Sequence, residues 1–140
     1  MSSGGPAFSA YQSAAQTPSV TTWTKVQLQT EEFDTASAFD AASTYRFTPQ
    51  VAGYYQVNGA VAANGVAATE CAIYKNGASH KAGSLGAYAT SVGSVSAVSA
   101  LVYLNGSSDY VELYVYLSAS VPLLANSNAT YFQASLVRAA

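Results

Sequence analysis

Apolar residues along this chain recur at every second position, and that period belongs to strands. The clearest stretch is Tyr110-Val-Glu-Leu-Tyr-Val-Tyr-Leu117. There Val111, Leu113, Val115 and Leu117 share one face, and Tyr110, Glu112, Tyr114 and Tyr116 share the other. The same alternation predicts strands over Ala7–Tyr11, Thr24–Leu28, Thr44–Phe47, Tyr54–Ala63, Thr69–Lys75, Ser94–Leu104 and Thr130–Val137. Asn64-Gly65, Asn76-Gly77 and Asn105-Gly-Ser-Ser-Asp109 punctuate them as turns. Ser13–Thr22, with Pro18, and Ser118–Asn128, with Pro122, read as loops. Abundant alanine favours helix by propensity, but no segment carries the helical spacing. The expectation is an all-β, two-sheet antiparallel sandwich over residues 7–140, preceded by a flexible lead-in at residues 1–6.

Composition narrows the partners. The chain has 140 residues, 50% of them hydrophobic, with five basic and seven acidic residues and a formal charge of -2. Lys25, Arg46, Lys75, Lys81 and Arg138 are scattered singly, which leaves no basic stripe for phosphates and argues against nucleic acid. No apolar run reaches the length of a membrane span, and Met1–Pro6 has neither the basic region nor the apolar segment of a secretory signal. So many apolar and tyrosine side chains on so neutral a chain would leave sticky patches on a monomer, so an oligomer is expected.

A spaced series of residues carries a resemblance. Phe33-Asp34, Phe39-Asp40, Tyr45-Arg-Phe47-Thr-Pro49 and Gly53-Tyr-Tyr55-Gln-Val57 are similar to the signature of the complement C1q globular-head family, itself akin to tumour necrosis factor. The step from Phe47 to Gly53 has the expected length, that from Phe39 to Phe47 is one residue longer, and Val57 stands where Phe is usual. Downstream, Ala72–Gly77, Val102–Leu104 with Asp109–Leu113, and Tyr131–Val137 resemble the family's hairpin, strand pair and closing strand. Ser108 replaces the Gly before Asp109, which predicts a looser turn there. The likeness spans residues 7–138.

The resemblance implies a jelly roll that assembles as a homotrimer. Its inner sheet would place Tyr55, Val57, Val61, Val98, Ala100, Val102 and Leu104 toward the core. Tyr54, Gln56 and Asn58, then Ser99, Leu101 and Tyr103, then Tyr131, Gln133 and Ser135 would face the neighbouring copies. It also implies a non-enzymatic, extracellular or virion-surface head, of bacterial or phage type. The expected role is that of a phage tail-fibre or other virion-surface module that binds a host cell-surface glycan or protein. Alternatives are a trimerisation and capping domain of a fibre or capsid projection without its own ligand, and a secreted animal-type head. Tyr110, Glu112, Tyr114 and Tyr116 are the candidate ligand-binding residues, expected toward solvent.

Catalytic chemistry has few resources. His80 is the one histidine and reads as a solvated hairpin residue; Cys71 is the one cysteine and reads as a small buried side chain, with a Cys71–His80 nucleophile and base pair as the competing reading. Glu31, Glu32, Asp34 and Asp40 form the acidic cluster. Their reading is loop solvation for the glutamates and turn capping for the aspartates, with calcium possible but unassigned and no other cofactor implied. Asn105-Gly-Ser107 and Asn128-Ala-Thr130 match the glycosylation sequon.

Overall fold

The computed structural model describes residues 4–86 and 93–140. Ten strands are formed among them, and no helix: β1 Ala7–Tyr11, β2 Thr24–Lys25, β3 Thr30–Asp34, β4 Arg46–Phe47, β5 Gly53–Ala62, β6 Thr69–Lys75, β7 Ala78–Gly86, β8 Val95–Leu104, β9 Val111–Leu117 and β10 Tyr131–Ala139. One sheet runs β3-β1-β10-β5-β8 and the other β2-β9-β6-β7, with β4 also paired to β9. Every described pairing is antiparallel.

The all-β two-sheet expectation holds, and β1 and β6 have the predicted bounds. Two strands went unread, β3 and β7. The second and third predicted strands, Thr24–Leu28 and Thr44–Phe47, shrink to two residues each. Tyr45 has φ 52°, which takes the chain out of extended geometry just before β4. The lead-in also ends earlier than expected, because Pro6 is buried and its carbonyl accepts from Leu136 N at 3.1 Å. Met1–Ser3 lie outside the described residues.

The core lies between the sheets, where alternation delivers the inward residues of both. Phe8, Phe47, Tyr55, Phe132 and Leu113 are fully buried. Phe8 stacks on Phe39 and Phe47 at centroid distances of 4.6 and 4.5 Å. Each large side chain buried this way contributes about 1.5–3 kcal/mol. Tyr55 keeps its hydroxyl satisfied by donating to Val51 O at 2.6 Å.

Turn chemistry closes the strands. Asn76 and Gly77, at φ 53° and 84°, form the hairpin joining β6 to β7. The turn before Asp109 is tight rather than loose: Asn105 Oδ1 accepts from the backbone N–H groups of Ser107, Ser108 and Asp109 at 3.0, 3.0 and 2.9 Å. Its left-handed residue is Gly106, so Ser108 needs no glycine.

The two sheets also meet along one side, where β7 lies against β8. There Ser96 Oγ accepts from Cys71 N at 2.9 Å and donates to Ser84 O, and Ser94 and Thr69 hydroxyls pair at 2.7 Å. A Cβ on Gly83 would come within 2.5 Å of Ala97 O, so the close approach requires glycine.

Candidate functional site

Two sheet faces point away from the core. On the first sheet, register puts Phe33, Ser9, Gln133, Asn58 and Ser99 in one cross-strand row, and Ala7, Ser135, Gln56 and Leu101 in the next. Tyr54 and Tyr103 are cross-strand partners at one end, their rings 5.4 Å apart; Tyr131 is paired to Ala60 toward the other. All nine residues expected on this face lie on it. Leu101 is 57% exposed, Tyr54 41% and Tyr103 42%. Ser99 and Ser135 are exposed, whereas Gln56, Asn58, Tyr131 and Gln133 are half-buried. Of their inward partners Ala100 is half-buried and the other six are buried.

The centre of this face is polar and internally bonded. Gln56 Nε2 donates to Ser99 Oγ at 2.9 Å, Ser99 Oγ to Asn58 Oδ1 at 2.7 Å, and Ser9 Oγ to Glu32 Oε1 at 2.9 Å. Over it lies a depression of about 230 Å³ that Gln56, Asn58, Gln133 and Ser135 line together with Ala7 and Phe33.

The face of the second sheet is built differently from expectation. Glu112 is 1% exposed rather than solvent-facing, because Lys25 Nζ at 2.8 Å and Arg46 Nη2 at 3.2 Å close over its Oε2. Those cations arrive from β2 and β4, which share the edge of β9 opposite β6, in the register of Tyr114 and of Glu112. The Arg46 guanidinium also lies over the Tyr110 ring at 3.9 Å. Tyr110, Tyr114 and Tyr116 are half-buried.

Tyr74 on β6 and Trp23 before β2 complete this face. Tyr74 and Tyr114 stack at 3.7 Å with an interplanar angle of 9°, and Trp23 lies 5.6 Å from Tyr116 and 6.2 Å from Tyr74. Burial raises the hydroxyl pKa of Tyr74 and Tyr114, the neighbouring tyrosine adding to it for the first and Glu112 for the second. No local signal in the sequence pointed to Tyr74, Lys25 or Arg46, because each joins β9 through pairing between strands distant in the chain.

The remaining candidates are dispersed. Cys71 is fully buried, its Sγ 3.3 Å from Ser96 Oγ, and burial pushes the thiol up to about 11. Ser96, not His80, is the thiol's neighbour, which corrects the nucleophile and base pairing. His80 is exposed on β7; burial first, then Lys75 and Lys81, lower its pKa. Asp34 accepts from Ala38 N at 3.0 Å and Phe39 N at 2.8 Å. Asp40 accepts from Ala42 N, Thr44 N, Ser43 Oγ and Thr44 Oγ1, so both aspartates cap turns. Among the described residues no three His, Cys, Asp or Glu side chains gather as a metal site. The Asn105 side chain is held inside its own turn, and Asn128 is exposed.

Known structures share this architecture. The globular domain of zebrafish complement 1qA protein superimposes with a TM-score of 0.75 at 17% identity, over 97% of this chain and 99% of that one. Murine APRIL at pH 5.0 gives 0.68 at 9% identity over 95% and 99%, and Eiger TNF from S. frugiperda 0.66 at 10% over 97% and 95%. No family model matches the chain, and no curated protein is detectably similar in sequence. The fold is the jelly roll shared by complement C1q and tumour necrosis factor-like globular heads.

Proposed function

We propose that this chain is a non-enzymatic head that assembles as a homotrimer through the outer face of its first sheet. The observation that carries the reading is the exposure of Leu101, Tyr103 and Tyr54 together on one sheet face, in a jelly roll whose structural neighbours are C1q and TNF-like heads. A contiguous apolar and aromatic area on an otherwise folded sheet marks an interaction surface. Interfaces of the obligate kind bury about 2,000 Å² or more, which favours covering the whole face, amide row included. Light scattering after gel filtration tests it: a mass three times the 14.4 kDa chain is expected, and a stable monomer at micromolar concentration overturns it.

The further reading is a recognition module at the tip of a phage tail fibre or on a virion surface, binding a host cell-surface glycan or protein. With the first sheet covered, the face around Trp23, Tyr110, Tyr114 and Tyr116 stays outward, and three copies of it turn a weak contact into avidity. Charge-poor composition and the lone cysteine support the viral type over a secreted animal-type head. Glycan-array and host-cell binding by the trimer test this reading, with loss of binding expected in Tyr114→Ala/Tyr116→Ala.

A capping domain without its own ligand is the second reading, favoured by one observation. Tyr74 and Tyr114 turn their ring faces on each other, and Glu112 is already paired twice, so these groups stiffen the sheet before they meet any ligand. Absence of binding across glycans and host cells, with an intact trimer, selects it.

A further inference from the structure

Cross-strand register lays three rows over the outer face of the second sheet, and two of them are taken up by contacts among their own side chains. In one, Arg46, Glu112 and Tyr74 lie side by side on β4, β9 and β6; in the next, Lys25, Tyr114 and Ala72 lie on β2, β9 and β6. Glu112 holds both cations, and Tyr74 and Tyr114 cover each other's ring faces. The third row runs Trp23, Tyr116, Glu70 and Leu85, from the residue before β2 across β9 and β6 to β7. It spans about three strand spacings, ~14 Å.

Each member of that row faces outward and is left open. Glu70 stands between Thr69 and Cys71, both fully buried toward the core, so its side chain leaves by the opposite face. Leu85 pairs with it from β7 and is 70% exposed. Trp23 and Tyr116 are half-buried and tilted 46° to one another, so neither ring closes off the other as Tyr114 does Tyr74. Among the described residues the Glu70 carboxylate has no ion-pair partner, since Lys25 and Arg46 are both drawn to Glu112.

We propose that this row binds an uncharged, pyranose-containing glycan, with Trp23 and Tyr116 under the sugar ring and Glu70 accepting from its hydroxyl groups. The proposal rests on the recognition-head reading and narrows its site and ligand: the acid that meets the sugar is Glu70, not Glu112. A pyranose presents an apolar C–H face edged by hydroxyl donors, which an aromatic ring beside an acceptor-only carboxylate matches. Hydrogen bonds to a charged acceptor are the stronger kind. An unneutralised carboxylate repels sialylated, uronic and sulfated sugars, so charge sets the ligand class. Leu85, otherwise left in water, gives a second apolar contact at the far end of the row, for a neighbouring ring or an acetamido methyl.

Titration calorimetry of the intact protein tests the site, with lactose, N-acetyllactosamine, maltotriose, mannotriose and chitotriose as neutral probes and sialyllactose as the acidic one. At least one neutral sugar is expected to bind, and sialyllactose to bind more weakly than lactose. Glu70→Gln keeps the shape but loses the charged acceptor, and should weaken the neutral sugar about tenfold. Trp23→Ala should abolish binding, whereas Glu31→Gln, on the edge of the other sheet, should leave it unchanged. Glu70 has no ion pair to lose, so its variant should keep the wild-type mass and unfolding midpoint. Equal affinity of Glu70→Gln and wild type, or tighter binding of sialyllactose than of lactose, overturns the proposal and leaves the recognition head standing. Binding to host cells with none of the neutral sugars bound overturns it in favour of a protein receptor. If neither sugars nor host cells are bound, both readings fall and the capping domain remains.

Discussion

Lys25 Nζ lies 2.8 Å from Glu112 Oε2, and the carboxylate it contacts is shut from solvent while the lysine remains 28% exposed. The pairing is asymmetric, since the anion depends on its partners more than they depend on it. Removing Glu112 leaves two cations that can turn toward water. Removing both cations leaves a buried charge, the arrangement that costs about 3–5 kcal/mol. Lys25→Met/Arg46→Met is accordingly expected to destabilise by that amount, and Glu112→Gln by less. Either single cation variant should cost the least, because the other cation still serves Oε2. Urea unfolding of the four variants checks the order, and a Glu112→Gln loss larger than that of the double variant contradicts it.

Cys71 should be inert in the folded chain. It is fully buried, and a thiol pushed up to about 11 is ionised to roughly a thousandth at pH 8. Labelling by an aromatic disulfide reagent is expected only at the rate of unfolding. Ser96→Ala removes the hydroxyl that accepts from Cys71 N, and leaving such a buried donor unpaired costs about 1–3 kcal/mol. That variant should label faster in proportion to its lost stability. Fast labelling of wild type without unfolding would show that the seam between β7 and β8 opens locally.

Acid should act partly through Asp40. Its pKa is held well below the usual carboxylate value, foremost by the Thr44 hydroxyl, then by the backbone of Ala42 and Thr44 and the Ser43 hydroxyl. A carboxylate whose folded pKa is depressed adds stability above its unfolded value, about 4, and loses it as pH falls toward the folded one. Asp109 is shifted the same way, mainly by Asn76. Stability of wild type is therefore expected to fall as pH drops below about 4, and Asp40→Asn should be less stable at pH 7 with a shallower acid limb. Parallel pH profiles of the two proteins would remove Asp40 from the account.

What could be read from the chain follows from where each strand sits. β9 and β5 are central strands with one buried face, so their alternation is plain; β8 ends its sheet but has β7 against it and alternates as clearly, so that Tyr54 of β5 and Leu101 and Tyr103 of β8 fall on one side of the first sheet. β3 and β7 are edge strands: Thr-Glu-Glu-Phe-Asp carries charge that blunts an edge, and Ala78–Gly86 carries glycines that let β7 approach β8. Neither needs a hydrophobic period, and neither shows one. Glu112 was placed on the right face and given the wrong environment, because alternation assigns a side but not what covers it. Lys25 and Arg46 come from 66 to 87 residues away by sequence number, a pairing with no local trace.

The stacked pair on the second sheet yields the prediction most closely tied to function. Tyr74 and Tyr114 are 3.7 Å apart and nearly parallel, so each supplies the surface that covers the other. A double-mutant cycle with Tyr74→Leu and Tyr114→Leu should return a coupling of about 0.5–1.5 kcal/mol in unfolding free energy. Coupling near zero would mean the rings only share a surface and stand free for a ligand. Trp23, the chain's one tryptophan, sits 6.2 Å from Tyr74 and 5.6 Å from Tyr116 and so reports on the same face. A ligand held there must change the tryptophan's surroundings. Saturable change in its emission on adding a host glycan, lost in Tyr116→Ala, is expected of a recognition head, whereas binding that leaves the emission unaltered places the ligand on another surface of the trimer.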